Sequence, residues 1–222
     1  MSSESFTPFE LRHGIVVRDE ASRSMMSAWR GESLALIDEG THFGFVYKGH
    51  ATLQCLSGIF TLGAGMYFSV PGAATICGCG SGTVVTQYGY TGVFLLGGPI
   101  EPQGRLRYID GCTDSLLLGP VLRGDPCLNL LHIPPHVNQT AHTHPSLRIG
   151  LVVRGGGECR TSQAAHTLTP GLPFVIWPDR LHSFHTQDLP LTVIAYHPDS
   201  DFGPTSEDHP MINRTVIRPK SQ

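Results

Sequence analysis

The sequence has few charged residues and no segment that concentrates positive charge. Charged side chains make up 15% of the 222 residues, the net charge is −3, and no basic stripe is visible. Binding to nucleic acid depends on a clustered positive surface, so we expect no nucleic acid among the partners.

Long apolar runs are missing as well. The longest apolar stretch, residues 53–70, is interrupted by three glycines, which leaves it too broken to span a membrane. The first residues show no apolar core of a secretory signal. We therefore expect a cytoplasmic protein that binds no membrane and whose six cysteines are reduced.

Helical periodicity is absent, whereas turn residues are abundant. The chain contains 26 glycines and 17 prolines, and they are spread along its whole length. Such punctuation is typical of many short strands joined by tight turns. The composition therefore favours an all-β fold.

One part of the sequence occurs twice at a constant offset. Residues 43–49 (FGFVYKG) resemble residues 149–155 (IGLVVRG) at an offset of 106. Further matches are Thr61, Leu62 and Gly65 with Thr167, Leu168 and Gly171 at the same offset, and Pro71 with Pro178 after one insertion. A constant offset over this length indicates an internal repeat.

Each copy of the repeat has the pattern of short antiparallel strands. In the second copy we predict strands at 128–133, 147–153, 174–177, 182–186 and 191–197. Two such copies predict two tandem jelly-roll β-barrels. The first barrel is expected over 1–110, and the second, with a C-terminal tail, over 111–222. The alternative is two unrelated β-sandwiches that share a turn.

Two closely spaced histidines are the chemical centre of the second copy. His142 and His144 are two residues apart, so a strand directs both imidazoles to the same face. The chain has 12 histidines, and a chance pair is therefore common. The neighbouring residues carry the signal: a Pro-Pro pair precedes, a triple glycine follows, and then come a Pro-Gly step and the segment from Pro178 to His182.

This order of residues resembles the two sequence motifs of the cupin superfamily. Those motifs are a His-x-His pair followed by a glutamate, and a Gly…Pro…His segment. The resemblance implies a two-domain bicupin in which His142, His144 and His182 bind one divalent metal ion per chain. Three neutral imidazoles suit Fe(II), which we expect first, and also Zn(II), Ni(II) or Mn(II). The alternative is a degenerate cupin that keeps these histidines only as polar barrel residues.

Arg148 occupies the position where the family has its glutamate, so the fourth metal ligand stays open. Its parity matches that of His142 and His144, which predicts an inward direction. A guanidinium beside a metal suits a carboxylate or an enolate-like chelate. We therefore expect Arg148 to bind the anionic part of a substrate, with an exposed arginine on a turn as the alternative.

Three other histidines are open candidates for the same site. His185 differs in parity from His182, which favours His182 as the inward residue. His136 lies on the incoming loop, where it would line the pocket mouth or face solvent. His197 ends the last predicted strand, where it would contact the site or lie on the surface.

The first copy has lost the equivalent ligands. The offset places Leu36 and Asp38 at the two motif histidines, Thr75 or Ile76 near the third, and His42 opposite Arg148. A metal site made of Cys77, Cys79 and His42 is the alternative to simple packing. We expect the first barrel to support the second or to form a homodimer interface.

The resemblance favours an enzyme of the non-haem Fe(II) dioxygenase type that acts on a small anionic carboxylate or diketone. Two other function classes remain open. One is a non-oxidative metal-dependent isomerase, lyase or decarboxylase; the other is a non-catalytic protein that binds small molecules. The sequence shows no pair of DNA-binding helices.

Overall fold

The protein is built almost entirely of short β-strands. The computed structural model describes residues 4–212, 215–216 and 218, so part of the predicted C-terminal tail lies outside the described residues. The only helical element among the described residues is a 3-10 turn, Ile109–Gly111. The all-β prediction is confirmed.

Twenty strands follow one another in the described chain. The strands before the 3-10 turn are β1 (Phe6–Pro8), β2 (Gly14–Asp19), β3 (Ser24–Arg30), β4 (Leu34–Leu36), β5 (Gly40–Lys48), β6 (His50–Cys55), β7 (Gly58–Gly63), β8 (Tyr67–Pro71), β9 (Ala74–Cys77), β10 (Ser81–Tyr88), β11 (Leu95–Gly97) and β12 (Leu106–Arg107). The strands after it are β13 (Thr113–Leu118), β14 (Cys127–Ile133), β15 (Arg148–Gly155), β16 (Gly157–Thr161), β17 (Ala165–Leu168), β18 (Pro173–Ile176), β19 (His182–His185) and β20 (Leu191–His197).

The strands form four antiparallel sheets, two large and two small. The large sheets have the orders β11-β8-β5-β10-β3-β2 and β1-β18-β15-β20-β14-β13-β12. The small sheets have the orders β4-β9-β6-β7 and β17-β16-β19. Each large sheet therefore repeats the same central arrangement, with β8, β5, β10 and β3 equivalent to β18, β15, β20 and β14.

The repeat seen in the sequence has a direct structural counterpart. Gly44 in β5 lies under the ring of Phe68 in β8, and Gly150 in β15 lies under the ring of Phe174 in β18. A side chain at either glycine would occupy the space of the ring. The same glycine–phenylalanine contact at the same offset shows that both copies pack their paired strands in the same way.

One edge strand of the second large sheet comes from the first copy. β1, from the start of the chain, pairs with β18 at the edge of the second large sheet. The equivalent edge position beside β8 is filled by β11, which comes after the other strands of its sheet. The boundary between 110 and 111 stays a prediction, and β1 extends the sheet of the second copy.

The sheets stack in four layers, small–large–large–small. One core fills the space between the six-stranded and four-stranded sheets and another the space between the seven-stranded and three-stranded sheets. A third core, which includes Phe43, Phe45, Ile149 and Tyr196, lies between the two large sheets. Because the central strands are covered on both faces, β10 and β20 are buried along nearly their whole length.

Across the described residues, no helix combines the length and the apolar character needed to cross a membrane. All six cysteines are free thiols, as expected, and three of them are buried: Cys112, Cys127 and Cys159.

Candidate functional site

Three histidines meet between the seven-stranded and three-stranded sheets. One ring nitrogen from each of His142, His144 and His182 lies within 4.8 Å of the others. The ring centroids are 4.6–5.1 Å apart. The remaining described residues form no other group of three or more histidine, cysteine or carboxylate side chains arranged for a metal ion.

Backbone pairing brings the histidines together. His142 lies on the loop that leads into β15, and its peptide forms an isolated antiparallel bridge with His182 at the start of β19. Each of the two residues donates its N–H to the other's carbonyl, at 2.9 and 3.0 Å. The carbonyl of His144 accepts the N–H of Asp179 at 2.7 Å. The loop is therefore held against β19 on both sides of Thr143.

Hydrogen bonds set the tautomers of two of the rings. Nδ1 of His142 lies 3.0 Å from the carbonyl of Thr140, and Nδ1 of His182 lies 3.0 Å from the carbonyl of Arg180. A carbonyl only accepts, so each Nδ1 carries the proton and each Nε2 keeps a free lone pair. Nε2 of His182 is buried and has no hydrogen-bond partner. A metal ion would satisfy this orphaned acceptor, and the donor set fits one.

Burial keeps His144 and His182 neutral. Together with the nearby charge of Arg148, it lowers the pKa of His144 to about 3. Burial also lowers the pKa of His182 to about 4, against the opposing hydrogen bond to the Arg180 carbonyl. A metal must compete with protons for imidazole, and at neutral pH neither ring carries the second proton that would make it an imidazolium.

The histidines open onto a cavity of about 240 Å³. Its walls are mainly apolar: Leu131, Phe174, Ile176, Phe184, Val193 and Ala195. An apolar pocket with a few polar groups is the usual form of a small-molecule site.

Arg148 lies in this cavity and not on the surface. Its side chain is nearly buried, with 9% of the residue exposed. Nη1 donates to the Ser146 hydroxyl at 2.6 Å, to the Ser146 carbonyl at 3.2 Å and to the Leu147 carbonyl at 3.1 Å. Nη1 is also 4.0 Å from an Asp199 carboxylate oxygen, while Nε is buried without a partner. One end of the guanidinium is fixed and the other retains a free donor.

Of the three other candidate histidines, one lines the cavity and two lie outside it. His185 lies outside the cluster, with Nδ1 at 3.1 Å from Asn138 Oδ1 and Nε2 at 2.7 Å from Ser183 Oγ. His136 is exposed, with Nε2 3.9 Å from an Asp188 oxygen. His197 lines the cavity. Burial lowers its pKa well below the usual value, and Arg148 and His144 lower it further.

Sequence reasoning missed four polar residues of the cavity, Arg107, Tyr108, Asp114 and Asn129. The Tyr108 ring stands edge-on to that of His142, with centroids 6.2 Å apart. Asn129 is a polar residue within the mostly apolar strand β14, and this contrast was visible in the sequence. Asp114 lies between Thr113 and Ser115 in β13, and Tyr108 precedes the 3-10 turn, so neither gave such a signal.

The first copy fills the equivalent space with side chains. Leu36 pairs with Ala74, where His142 pairs with His182 in the second copy. The register therefore makes Ala74, and not Thr75 or Ile76, the equivalent of His182 in the first copy. Both residues belong to the apolar core of that half.

His42 and the two cysteines form no site in the first copy. His42 is buried, with Nδ1 2.8 Å from the Thr86 hydroxyl and Nε2 2.9 Å from the Ile37 carbonyl. Among the described residues Cys77 and Cys79 do not join it in a metal-binding group.

Comparisons with known proteins agree with this picture. Residues 132–208 match the family model of the AraC-like ligand-binding domain. None of the curated proteins compared with the sequence matches it.

Solved structures share the fold at low sequence identity. A cupin 2 conserved barrel domain protein from Leptotrichia buccalis has a TM-score of 0.61 and 10% identity, over 88% of this chain and 91% of that one. Salicylate 1,2-dioxygenase from Pseudaminobacter salicylatoxidans has a TM-score of 0.61 and 10% identity, over 79% and 70%. A variant of that enzyme was solved in complex with gentisate. A variant of Bacillus subtilis oxalate decarboxylase has a TM-score of 0.56 and 12% identity, over 92% and 79%.

Proposed function

By its fold the chain belongs to the cupin superfamily, and on that premise we propose that it is a metal-dependent enzyme acting on a small anionic organic molecule. The observation that carries the proposal is the convergence of three histidines on a cavity that also contains Arg148. Of the reactions considered, we place a non-haem Fe(II) dioxygenase first, because the structural neighbours include salicylate 1,2-dioxygenase.

His142, His144 and His182 would hold one divalent ion per chain. When bound, such an ion supplies Lewis acidity and open coordination positions for substrate and O₂. Fe(II) is our first choice, with Zn(II), Ni(II) and Mn(II) as alternatives. The proposal draws support from the two fixed tautomers and the orphaned Nε2 of His182.

Arg148 would hold the substrate's carboxylate or enolate oxygen. A partly satisfied guanidinium in an apolar cavity favours an anion, because its charge is poorly screened there. Its free Nε is the donor available for that contact. The apolar walls would exclude water from the bound substrate.

We also propose that the two copies are two cupin domains, with residues 1–110 as the metal-free domain and 111–222 as the metal-binding one. The equivalent sheet orders and the replacement of the histidine bridge by Leu36 and Ala74 support this division. We further propose a homodimer, which light scattering coupled to size exclusion would test at the mass of two chains.

Metal content tests the central proposal. The protein is purified without a histidine tag and analysed for metals, with His142→Ala, His182→Ala and the exposed-residue control His136→Ala. We expect about one divalent ion per chain in wild type and in the control, and almost none in the two cavity variants. Absence of metal from wild type after reconstitution would show that the site is not a metal centre.

The reaction type is tested separately. Bound iron, with O₂ consumption on addition of a small carboxylate or diketone, supports the dioxygenase. Turnover without O₂ in the presence of zinc, nickel or manganese supports an isomerase, lyase or decarboxylase instead. The similarity to oxalate decarboxylase keeps this second enzyme class open.

One observation favours a non-catalytic alternative. The match to the AraC-like ligand-binding domain spans residues 132–208 and so includes Arg148 and all three histidines of the cluster. Saturable binding of a small molecule without turnover, in protein loaded with each metal in turn, would favour a binding protein over an enzyme.

A further inference from the structure

The cavity contains a second polar pair that the metal and anion sites do not use. Asp114 in β13 and Asn129 in β14 both line it. The amide nitrogen of Asn129 lies 3.2 and 3.3 Å from the two carboxylate oxygens of Asp114. The pair belongs to the seven-stranded sheet, so it faces the cavity from the wall that does not carry His182.

The pair is left with acceptors and no donor. The carbonyl oxygen Oδ1 of Asn129 is buried and has no hydrogen-bond partner. The reverse amide orientation would place that oxygen against the carboxylate, where both groups only accept. Two carboxylate oxygens offer about four acceptor positions, and one amide nitrogen leaves several of them free.

Asp114 forms no ion pair with any described positive side chain, although Arg107 lines the same cavity. Burial raises the pKa of its carboxyl, and the hydrogen bond from Asn129 opposes that shift. A buried acceptor without a donor costs about 1–3 kcal/mol, so a donor supplied by a ligand would be favoured here.

From this arrangement we infer that Asp114 and Asn129 form a donor-recognition subsite, which selects ligands carrying a hydroxyl or amino group in addition to the anionic group held by Arg148. The ligand class is a small carboxylate with an apolar body and a hydrogen-bond donor. A cavity of about 240 Å³ has room for one substituted ring, since cavities of roughly 150 Å³ are known to take benzene. The inference rests on the proposed function only for the anionic end of the ligand.

The subsite predicts that one hydrogen-bond donor on the ligand is enough to change its affinity. Calorimetric titration of the metal-reconstituted protein would compare benzoate with its hydroxy, amino and methoxy derivatives at each ring position. We expect the best hydroxy or amino derivative to bind at least about tenfold more tightly than its methoxy counterpart, which lacks the hydroxyl donor. In Asp114→Ala and Asn129→Leu we expect this preference to fall to about twofold or less.

The control variant is Asp188→Ala, whose carboxylate is 95% exposed and lies outside the cavity. It should retain the wild-type preference. Circular dichroism and urea unfolding would show that both cavity variants are folded before the ratios are compared. A preference that persists in both folded variants overturns the subsite.

Neutral ligands separate this inference from the proposed function. Phenol and anisole differ by the hydroxyl donor and carry no carboxylate, so Arg148 contributes little to either. Ligand-observed NMR should detect phenol binding that is stronger than anisole binding and that depends on Asp114. If no carboxylate binds, the proposed anion site is wrong while this comparison still decides the subsite. Equal binding of phenol and anisole to wild type, or binding of neither, overturns it.

Discussion

Replacing Arg148 with methionine should separate function from stability. The change removes a guanidinium whose free Nε is the proposed contact to a substrate anion. A hydrogen bond to a charged group contributes about 1.5–3 kcal/mol, and 1.4 kcal/mol corresponds to a tenfold change in Kd. Binding of a small carboxylate should therefore weaken by roughly 10- to 150-fold.

Stability should respond much less. Methionine loses the contacts of Nη1 to Ser146 and Leu147, each of which contributes about 1.5–3 kcal/mol because the donor is charged. It also removes a buried charge, whose desolvation costs on the order of several kcal/mol, and an orphaned donor, which costs about 1–3 kcal/mol. Asp199 would not be stranded, because 52% of its side chain is exposed and water can solvate it.

These opposing effects largely cancel, so we expect the free energy of unfolding to fall by less than about 2 kcal/mol. Urea unfolding of the metal-free protein measures stability, and calorimetric titration with benzoate measures binding. Arg148→Lys is the matched variant, since it keeps the charge but loses the planar fork. A loss of 3 kcal/mol or more with unchanged carboxylate binding would show that Arg148 is structural and refute its assigned role.

Three further predictions concern other parts of the fold. The carboxylate of Asp110 accepts the N–H of Thr140, and the carbonyl of Thr140 fixes the His142 ring. Asp110→Ala should therefore weaken zinc binding about tenfold or more in a chelator competition. The exposed control Asp188→Ala should leave zinc binding unchanged. Burial lowers the pKa of His42 below 6.5, so as pH falls the unfolded chain takes up a proton at this residue before the folded chain does. The free energy of unfolding should therefore decrease as pH falls below about 6.5, by up to about 1.4 kcal/mol per pH unit for this group. In His42→Gln, the free energy of unfolding from urea experiments should depend less steeply on pH. An identical slope in that variant would exclude His42 as a source. Gly150→Ala would place a Cβ in the space of the Phe174 ring in β18. It should lower the free energy of unfolding in urea by about 1–3 kcal/mol. A decrease of less than about 0.5 kcal/mol would argue against the close contact.

The strand pattern of the second copy was readable because its elements obey local rules. The segment predicted at 191–197 is a strand with those bounds, and the one predicted at 128–133 differs by one residue. Period-two patterns and turn residues depend on neighbours along the chain, so the sequence records them directly. The placement of β1 in the sheet of the second copy was not readable, because an edge strand has no local mark of the sheet it joins.

The candidate site divides in the same way. The sequence by itself determined the repeat and the all-β class, because residue identity and spacing record both directly. It also predicted His142, His144 and His182 as ligands, through their resemblance to the cupin motifs. Only the tertiary structure decided that Arg148 is buried beside the histidines and that Asp114 and Asn129 face the same cavity. Those residues come from different strands, and their meeting depends on sheet order and register, which are set by packing between distant segments and not by any local pattern.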